Sequence, residues 1–309
     1  MAAFDAEDEP ARGEEVDAVL MARERYDQQP SGIFGLPEEV GLVSDLQAPG
    51  PAGPVGLRLY TPAGERPRSP RPVVLFAHGG GWIEGSLTSH DGLCRALCNG
   101  TRALVVAVNY RLAPEHPFPA GLQDCMAAHD WLIGAALEMG GDPQRMAVVG
   151  ESAGANLMAV VCRLARDRGH ARACLQVLAY PALDPAMASG SYRELAEDYG
   201  LTHGAMERCW RLYLGDHDPE DPDAAPLNGC ELSGLPPALV LTCEYDPLRE
   251  EGEAYGERLR SAGVSVRTVR WPGMAHGFLR WRGAVDAATP ALDDVCRELR
   301  RALDVPADA

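Results

Sequence analysis

Short β-branched runs separated by helix-length stretches recur down this chain, and that alternation constrains the fold more than any other feature. The runs are VGLRLY from Val55, VVLFA at 73–77, ALVVAV at 103–108, MAVV at 146–149, CLQVLAY at 174–180, ALVLT at 238–242 and VSVRTV at 264–269. Most of the later runs are apolar throughout rather than alternating, the pattern of strands buried on both faces of a parallel sheet. Between them lie stretches with helical spacing at 93–97, 120–138, 153–166, 249–262 and 286–303. Parallel neighbours need a crossover, and a helix is the compact way to make one, so the pattern predicts a doubly wound α/β sheet.

Two regions stand outside the alternation. Residues 1–50 begin with a ragged acidic stretch, continue into a predicted helix over 17–29 and a Pro/Gly link at Leu36-Pro37, and read as an accessory element. Residues 184–226 carry Tyr192, Tyr199, Trp210 and Tyr213, two helical patches and the exit DHDPEDPDAAP, and read as an insertion above the sheet. That leaves 51–183 and 227–309 as the sheet domain.

Composition removes several functions. A content of 46% hydrophobic and 24% charged residues is that of a globular chain. A formal net charge of -17 argues against nucleic acid and anionic membrane surfaces as partners. All 28 basic residues are Arg, which excludes Schiff-base and P-loop lysine chemistry. The longest purely apolar stretch, 103–108, is far short of the ~20 residues of a transmembrane helix. The acidic start lacks a basic n-region and an apolar h-region, so a secretory signal is not expected. The 9 Cys contain no C-x-x-C pair, which favours free thiols in a reducing cytoplasm, with Cys94 and Cys98 on one helix face.

The sharpest chemical feature is Gly150-Glu151-Ser152-Ala153-Gly154, directly after the run MAVV and directly before ANLMAVVCRLARDR. A serine between strand and helix sits on a strained elbow with its hydroxyl pushed out at the sheet's edge. His78-Gly79-Gly80-Gly81-Trp82 follows VVLFA. Glycines in series expose backbone N–H groups, as stabilising a tetrahedral oxyanion requires. Neither a G-x-G-x-x-G helix start nor a Gly-Lys-Ser/Thr follows, so a phosphate cradle is disfavoured. The expected donors are Gly79, Gly80 and, after the nucleophile, Ala153, with His78 buttressing the loop.

A serine hydroxyl needs a base, and the base needs an orienting carboxylate. Asp246 follows ALVLTC and His276 follows VSVRTVR, both just past strand ends in the order Ser, acid, His. Glu244 and Glu251 are rival acids. His203 and His217 lie in the insertion and His170 in a helix–strand turn, and all three read as surface histidines. Trp82, Tyr192, Tyr199, Trp210, Tyr213 and Phe278 are candidate walls of an apolar substrate pocket, or alternatively cap packing.

At this point the chain resembles the hormone-sensitive-lipase-like, or bacterial type IV, esterases. The resemblance is carried by HGGGW at 78–82, GSLTSHDGLCR at 85–95, NYRLAPEHPFPA at 109–120, GESAG at 150–154, YPALD at 180–184, EYDPLREEG at 244–252 and GMAHGF at 273–278. It implies an α/β-hydrolase fold with a mostly parallel eight-stranded sheet, helices on both faces and a helical cap made from the N-terminal cap segment 1–50 and the insertion 184–226. It further implies metal-free and cofactor-free hydrolysis of small carboxylic esters of short to medium acyl chain. Ser152 is then nucleophile, His276 base, Asp246 acid, and Gly79, Gly80 and Ala153 the oxyanion donors. Amide hydrolysis, deacetylation of a natural product, family-related elimination reactions and a catalytically silent binding protein are the alternatives. Some relatives dimerise through the eighth strand and last helix, and VSVRTVR is an edge suited to a homodimer. The family commonly has Asp where this chain has Glu151, and Asp where it has Glu250. Arg111, Glu115 and Asp124 read as bracing residues.

Overall fold

The apolar runs assemble into one eight-stranded sheet in the order β1-β2-β4-β3-β5-β6-β7-β8. The strands are β1 (Leu42–Ala48), β2 (Val55–Thr61), β3 (Arg71–Ala77), β4 (Leu104–Asn109), β5 (Gly141–Glu151), β6 (Gln176–Ala179), β7 (Ala238–Tyr245) and β8 (Val266–Ala275). The helices are α1 (Arg12–Asp27), α2 (Ser31–Phe34), α3 (Asp91–Thr101), α4 (Ala120–Ala135), α5 (Ala153–Asp167), α6 (Gly190–Glu194), α7 (His203–Leu214), α8 (Arg249–Ser261) and α9 (Ala288–Ala302). This computed structural model describes residues 12–28, 31–64, 69–170 and 173–305. The acidic start over 1–11 and the expected helix end at Gln29 lie outside the described residues.

The pairs β3–β4, β3–β5, β5–β6, β6–β7 and β7–β8 are parallel, whereas β1–β2 and β2–β4 are antiparallel. Successive side chains of a strand point to opposite faces, and β3 demonstrates the division. Val73, Leu75 and Ala77 join the apolar layer built with α4, α5 and α8. Val74 and Phe76 join the layer built with α3 and α9. Both faces are therefore covered, which is why the central runs carry no polar alternation.

β1 is not among the runs from which strands were expected. Its sequence, LVSDLQA, is largely solvated and pairs with β2 alone. Asp45 lies directly across from Arg58, and the two form an ion pair at 2.6 Å. A polar strand of this kind is held by its partner rather than by its own apolar pattern.

Helix α1 and the segment leading into and along α7 supply walls of the space above Ser152. Arg23 of α1 donates to both carboxylate oxygens of Glu115 at 2.7 Å and to the carbonyls of Ile83 and Ala113, pinning the N-terminal helix to the loops over the sheet. α7 begins at Thr202, whose hydroxyl accepts the Ala205 N–H at 3.1 Å, an N-cap. Arg111 braces its loop through a two-pronged contact with Asp124 at 2.8 Å. Among the described residues no helix is long and apolar enough to cross a membrane. All nine cysteines are free, and Cys94 and Cys98 share the buried face of α3.

Candidate active site

β5 ends at Glu151, α5 begins at Ala153, and Ser152 between them has φ 55° and ψ -122°. A non-glycine residue held there stores about 1–3 kcal/mol of backbone strain. Sterics explain the flanking glycines. A Cβ at Gly150 would overlap the Gly154 carbonyl, and a Cβ at Gly154 would overlap the carbonyl oxygens of Ala77 and His78 at the end of β3. Close packing of β5, α5 and β3 therefore produces the elbow. The Ser152 N–H is anchored to the Ala179 carbonyl at 2.8 Å.

The loops after β7 and β8 bring two further groups to this serine. His276 Nε2 lies 2.9 Å from Ser152 Oγ, and His276 Nδ1 lies 2.8 Å from Asp246 Oδ2. Asp246 is fully buried, and its other oxygen accepts the Leu248 N–H at 2.9 Å, which fixes the carboxylate plane. Burial alone would pull the His276 pKa down, but the adjacent, hydrogen-bonded Asp246 carboxylate outweighs it and raises the value above the ordinary imidazole one. The rival acids are engaged elsewhere. Glu244 accepts the Gly273 N–H at 2.6 Å, and Glu251 accepts the Leu183 N–H at 2.9 Å. Desolvation pushes the Glu251 pKa well above the usual carboxylate range.

The glycine loop departs from expectation at its first member. The Gly79 N–H donates to Glu151 Oε1 at 2.9 Å, so it is already committed, and Gly79 does not line the space above Ser152. Gly80 and Gly81 do line it. The extra methylene of Glu151 carries its carboxylate beneath the loop, where the same oxygen also accepts from His90 Nε2 at 2.7 Å. Burial would raise the pKa of Glu151, but the His90 hydrogen bond and the charge of Arg280 outweigh it, and the group is ionised. Burial holds His90 below its ordinary value, so it acts as a neutral donor. His78 buttresses the loop as expected. Burial pushes its pKa to about 3, leaving a neutral ring that contacts the Gly79 carbonyl through Nδ1 at 2.8 Å and stacks on Tyr110 at 4.2 Å.

Ser152 and His276 open into a cavity of about 190 Å³. Of the six aromatics expected as its walls, Trp82, Tyr192, Trp210, Tyr213 and Phe278 are buried and Tyr199 is exposed, and none of the six lines it. Trp82 instead stacks on Tyr213 at 4.2 Å and meets Trp210 at 4.4 Å, knitting α7 to the loop after β3. Tyr192 packs edge-on against His203, and Phe278 packs near Trp271. Tyr199 stacks on Tyr245 at the surface. Large rings gain most by full burial between layers, which removes them from the wall. The wall consists of Tyr26 from α1, Leu201, Ala205, Met206 and Cys209 from the α7 region, Glu84, and Gly277 and Arg280 after His276. The Arg280 guanidinium lies 4.4 Å over the Tyr26 ring and donates to its hydroxyl. Apart from Gly277, which lies within GMAHGF, these residues belong to none of the sequence motifs.

Residues 74–280 match the sequence profile of a family described by its alpha/beta hydrolase fold. The chain belongs to the hormone-sensitive-lipase-like α/β-hydrolase family. Esterase LipI of Mycobacterium tuberculosis is 42% identical over 251 residues, 81% of this chain and 78% of the relative. An ethyl acetate hydrolase of Pseudomonas putida is 36% identical over 285 residues, 91% and 90% of the two chains. Among solved structures, the carboxylesterase EstE1 from a metagenomic library superposes with a TM-score of 0.86 at 38% identity, covering 95% of this family member and 98% of EstE1.

Proposed function

We propose that the protein hydrolyses carboxylic esters of short to medium acyl chain through a covalent acyl-enzyme. The observation that carries this reading is the unbroken chain from Ser152 Oγ through His276 to Asp246 at the floor of a cavity. In this mechanism His276 Nε2 takes the Ser152 proton as Oγ attacks the ester carbonyl, and Asp246 holds the ring and stabilises the imidazolium. The oxyanion is stabilised by the N–H groups of Gly80, Gly81 and Ala153, since the Gly79 N–H is held by Glu151. The alcohol leaves with the His276 proton. Water, deprotonated by the same imidazole, then releases the acid and restores Ser152.

The named activities of the relatives support an ester as substrate. Short to medium acyl chains are favoured by a small cavity lined on the α7 side by Met206 and Leu201. The free cysteines suit the cytoplasm. A homodimer through β8 also belongs to this proposal, because β8 ends the sheet with one unpaired edge. Sedimentation would read it as a species of twice the 33.1 kDa chain mass.

The test is a p-nitrophenyl ester series from acetate to long chains, with Ser152→Ala alongside. The expected result is activity highest on the shorter chains, with kcat lowered at least ~10³-fold in the variant at unchanged Tm. Equal rates in a folded Ser152→Ala protein would sink the mechanism.

A further inference from the structure

Away from the elbow, α4 and the turn after α5 place two imidazoles on one carboxylate. His129 Nδ1 lies 3.1 Å and His170 Nδ1 2.9 Å from the same oxygen, Asp130 Oδ1. The three ligand atoms all lie within 4.8 Å of one another, and this is the one group of its kind among the described residues. His129 is buried at 1% exposure, whereas Asp130 and His170 are partly open to solvent, so the oxygen is held from below and reachable from above.

We propose that His129, Asp130 and His170 form a binding site for a divalent first-row transition metal such as Zn2+. At Zn–N and Zn–O distances of ~2.1 Å, tetrahedral geometry sets ligand atoms roughly 3.4 Å apart. The two measured separations fall short of that by a few tenths of an ångström, within reach of side-chain rotation. Two imidazole nitrogens with one carboxylate suit zinc, nickel or copper rather than calcium or magnesium, which take oxygen ligands. In the metal-free protein each Nδ1 donates its proton to Asp130. On binding, the metal replaces both protons, each ring carries its hydrogen on Nε2 instead, and water completes the coordination shell.

Charge on all sides is consistent with this. Arg168, 3.5 Å from Asp130 Oδ2 and half exposed, is the cation now beside the carboxylate, and it is free to swing into solvent. The formal net charge of -17 raises the local concentration of any dication. The metal would tie α4 to the connection between α5 and β6. This site stands at the far end of α5 from Ser152, 15 residues or about 22 Å along the helix, so it stabilises rather than takes part in hydrolysis.

The experiment is calorimetric titration of Zn2+ into tag-free protein stripped with chelator, with Ca2+ as control, together with thermal unfolding with and without Zn2+. His170→Ala removes the most exposed ligand, and His170→Gln keeps a hydrogen-bond donor to Asp130 without an imidazole. The expected result is one saturable Zn2+ site that raises Tm, at least about tenfold weaker in both variants. Esterase rates stay unchanged, and Tm without metal is retained in His170→Gln. No saturable binding of Zn2+, or the same affinity and Tm increment in the variants, overturns the site. Failure here leaves the esterase reading untouched, because Ser152 activity is read separately.

Discussion

Glu151 is the clearest place to test whether the glycine loop is braced from below. Replacing it by Ala leaves two buried donors, the Gly79 N–H and His90 Nε2–H, without the oxygen that now accepts them at 2.9 and 2.7 Å. Each stranded buried donor costs about 1–3 kcal/mol, so roughly 2–6 kcal/mol is at stake. Water entering the vacated volume recovers part of this, and a loss of about 2–4 kcal/mol in stability follows. Deleting one oxyanion donor typically costs 10²–10³ in kcat. Here the donors remain and only the support of their loop is lost, so kcat falls about 10- to 100-fold while KM moves little. Glu151→Gln is the control, because its amide oxygen can occupy the same point and accept both donors. Only charge assistance is lost, about 1–2 kcal/mol, and kcat stays within about tenfold of the original. Initial rates on p-nitrophenyl butyrate and thermal unfolding of both variants supply the answer. Wild-type kcat and Tm in Glu151→Ala would refute the bracing role, and equal damage in Ala and Gln would assign the effect to charge rather than to the hydrogen bonds.

Two further outcomes are expected. The pKa of His276 is raised above the ordinary imidazole value, and the base must be neutral to accept the Ser152 proton. kcat/KM should therefore fall as pH drops through an acid limb centred above ~6.5, and a midpoint below that value contradicts the assigned environment. On the cavity wall, Ala205 is exposed on α7 and Leu201 is only partly buried, so both can change size at small cost to the fold. Leu201→Ala should move the best substrate to longer acyl chains and Ala205→Phe to shorter ones, read as kcat/KM across the ester series. An unchanged chain-length profile in both would remove this wall from the acyl pocket.

The features legible in the sequence are those written in local periodicity and local sterics. The runs 73–77, 103–108 and 238–242 became β3, β4 and β7 because an all-apolar strand is stable only with both faces covered. Helices expected over 153–166 and 249–262 end within a residue of α5 and α8. Ser152 is placed by its neighbours in the chain, since only small residues at 150 and 154 allow the strand to turn so sharply. β1 was invisible for the converse reason, as its polar residues are paid for by pairing with β2, a partner the local pattern does not reveal.

The sequence by itself determined the order of β2 to β8 and of the helices between them, the elbow at Ser152 and the positions of Asp246 and His276 just past strand ends. Only the tertiary structure decided which glycines line the cavity and that the Gly79 N–H is taken up by Glu151, a contact made across 72 residues of chain. The same holds for the wall. Trp82, Trp210 and Tyr213 are drawn into the packing between α7 and the loop after β3, and the surface left facing Ser152 comes from Tyr26, Leu201, Ala205, Met206 and Arg280. Strand, helix and turn follow from contacts over a few residues, whereas a cavity is the space left when distant segments have packed, and no single segment encodes it.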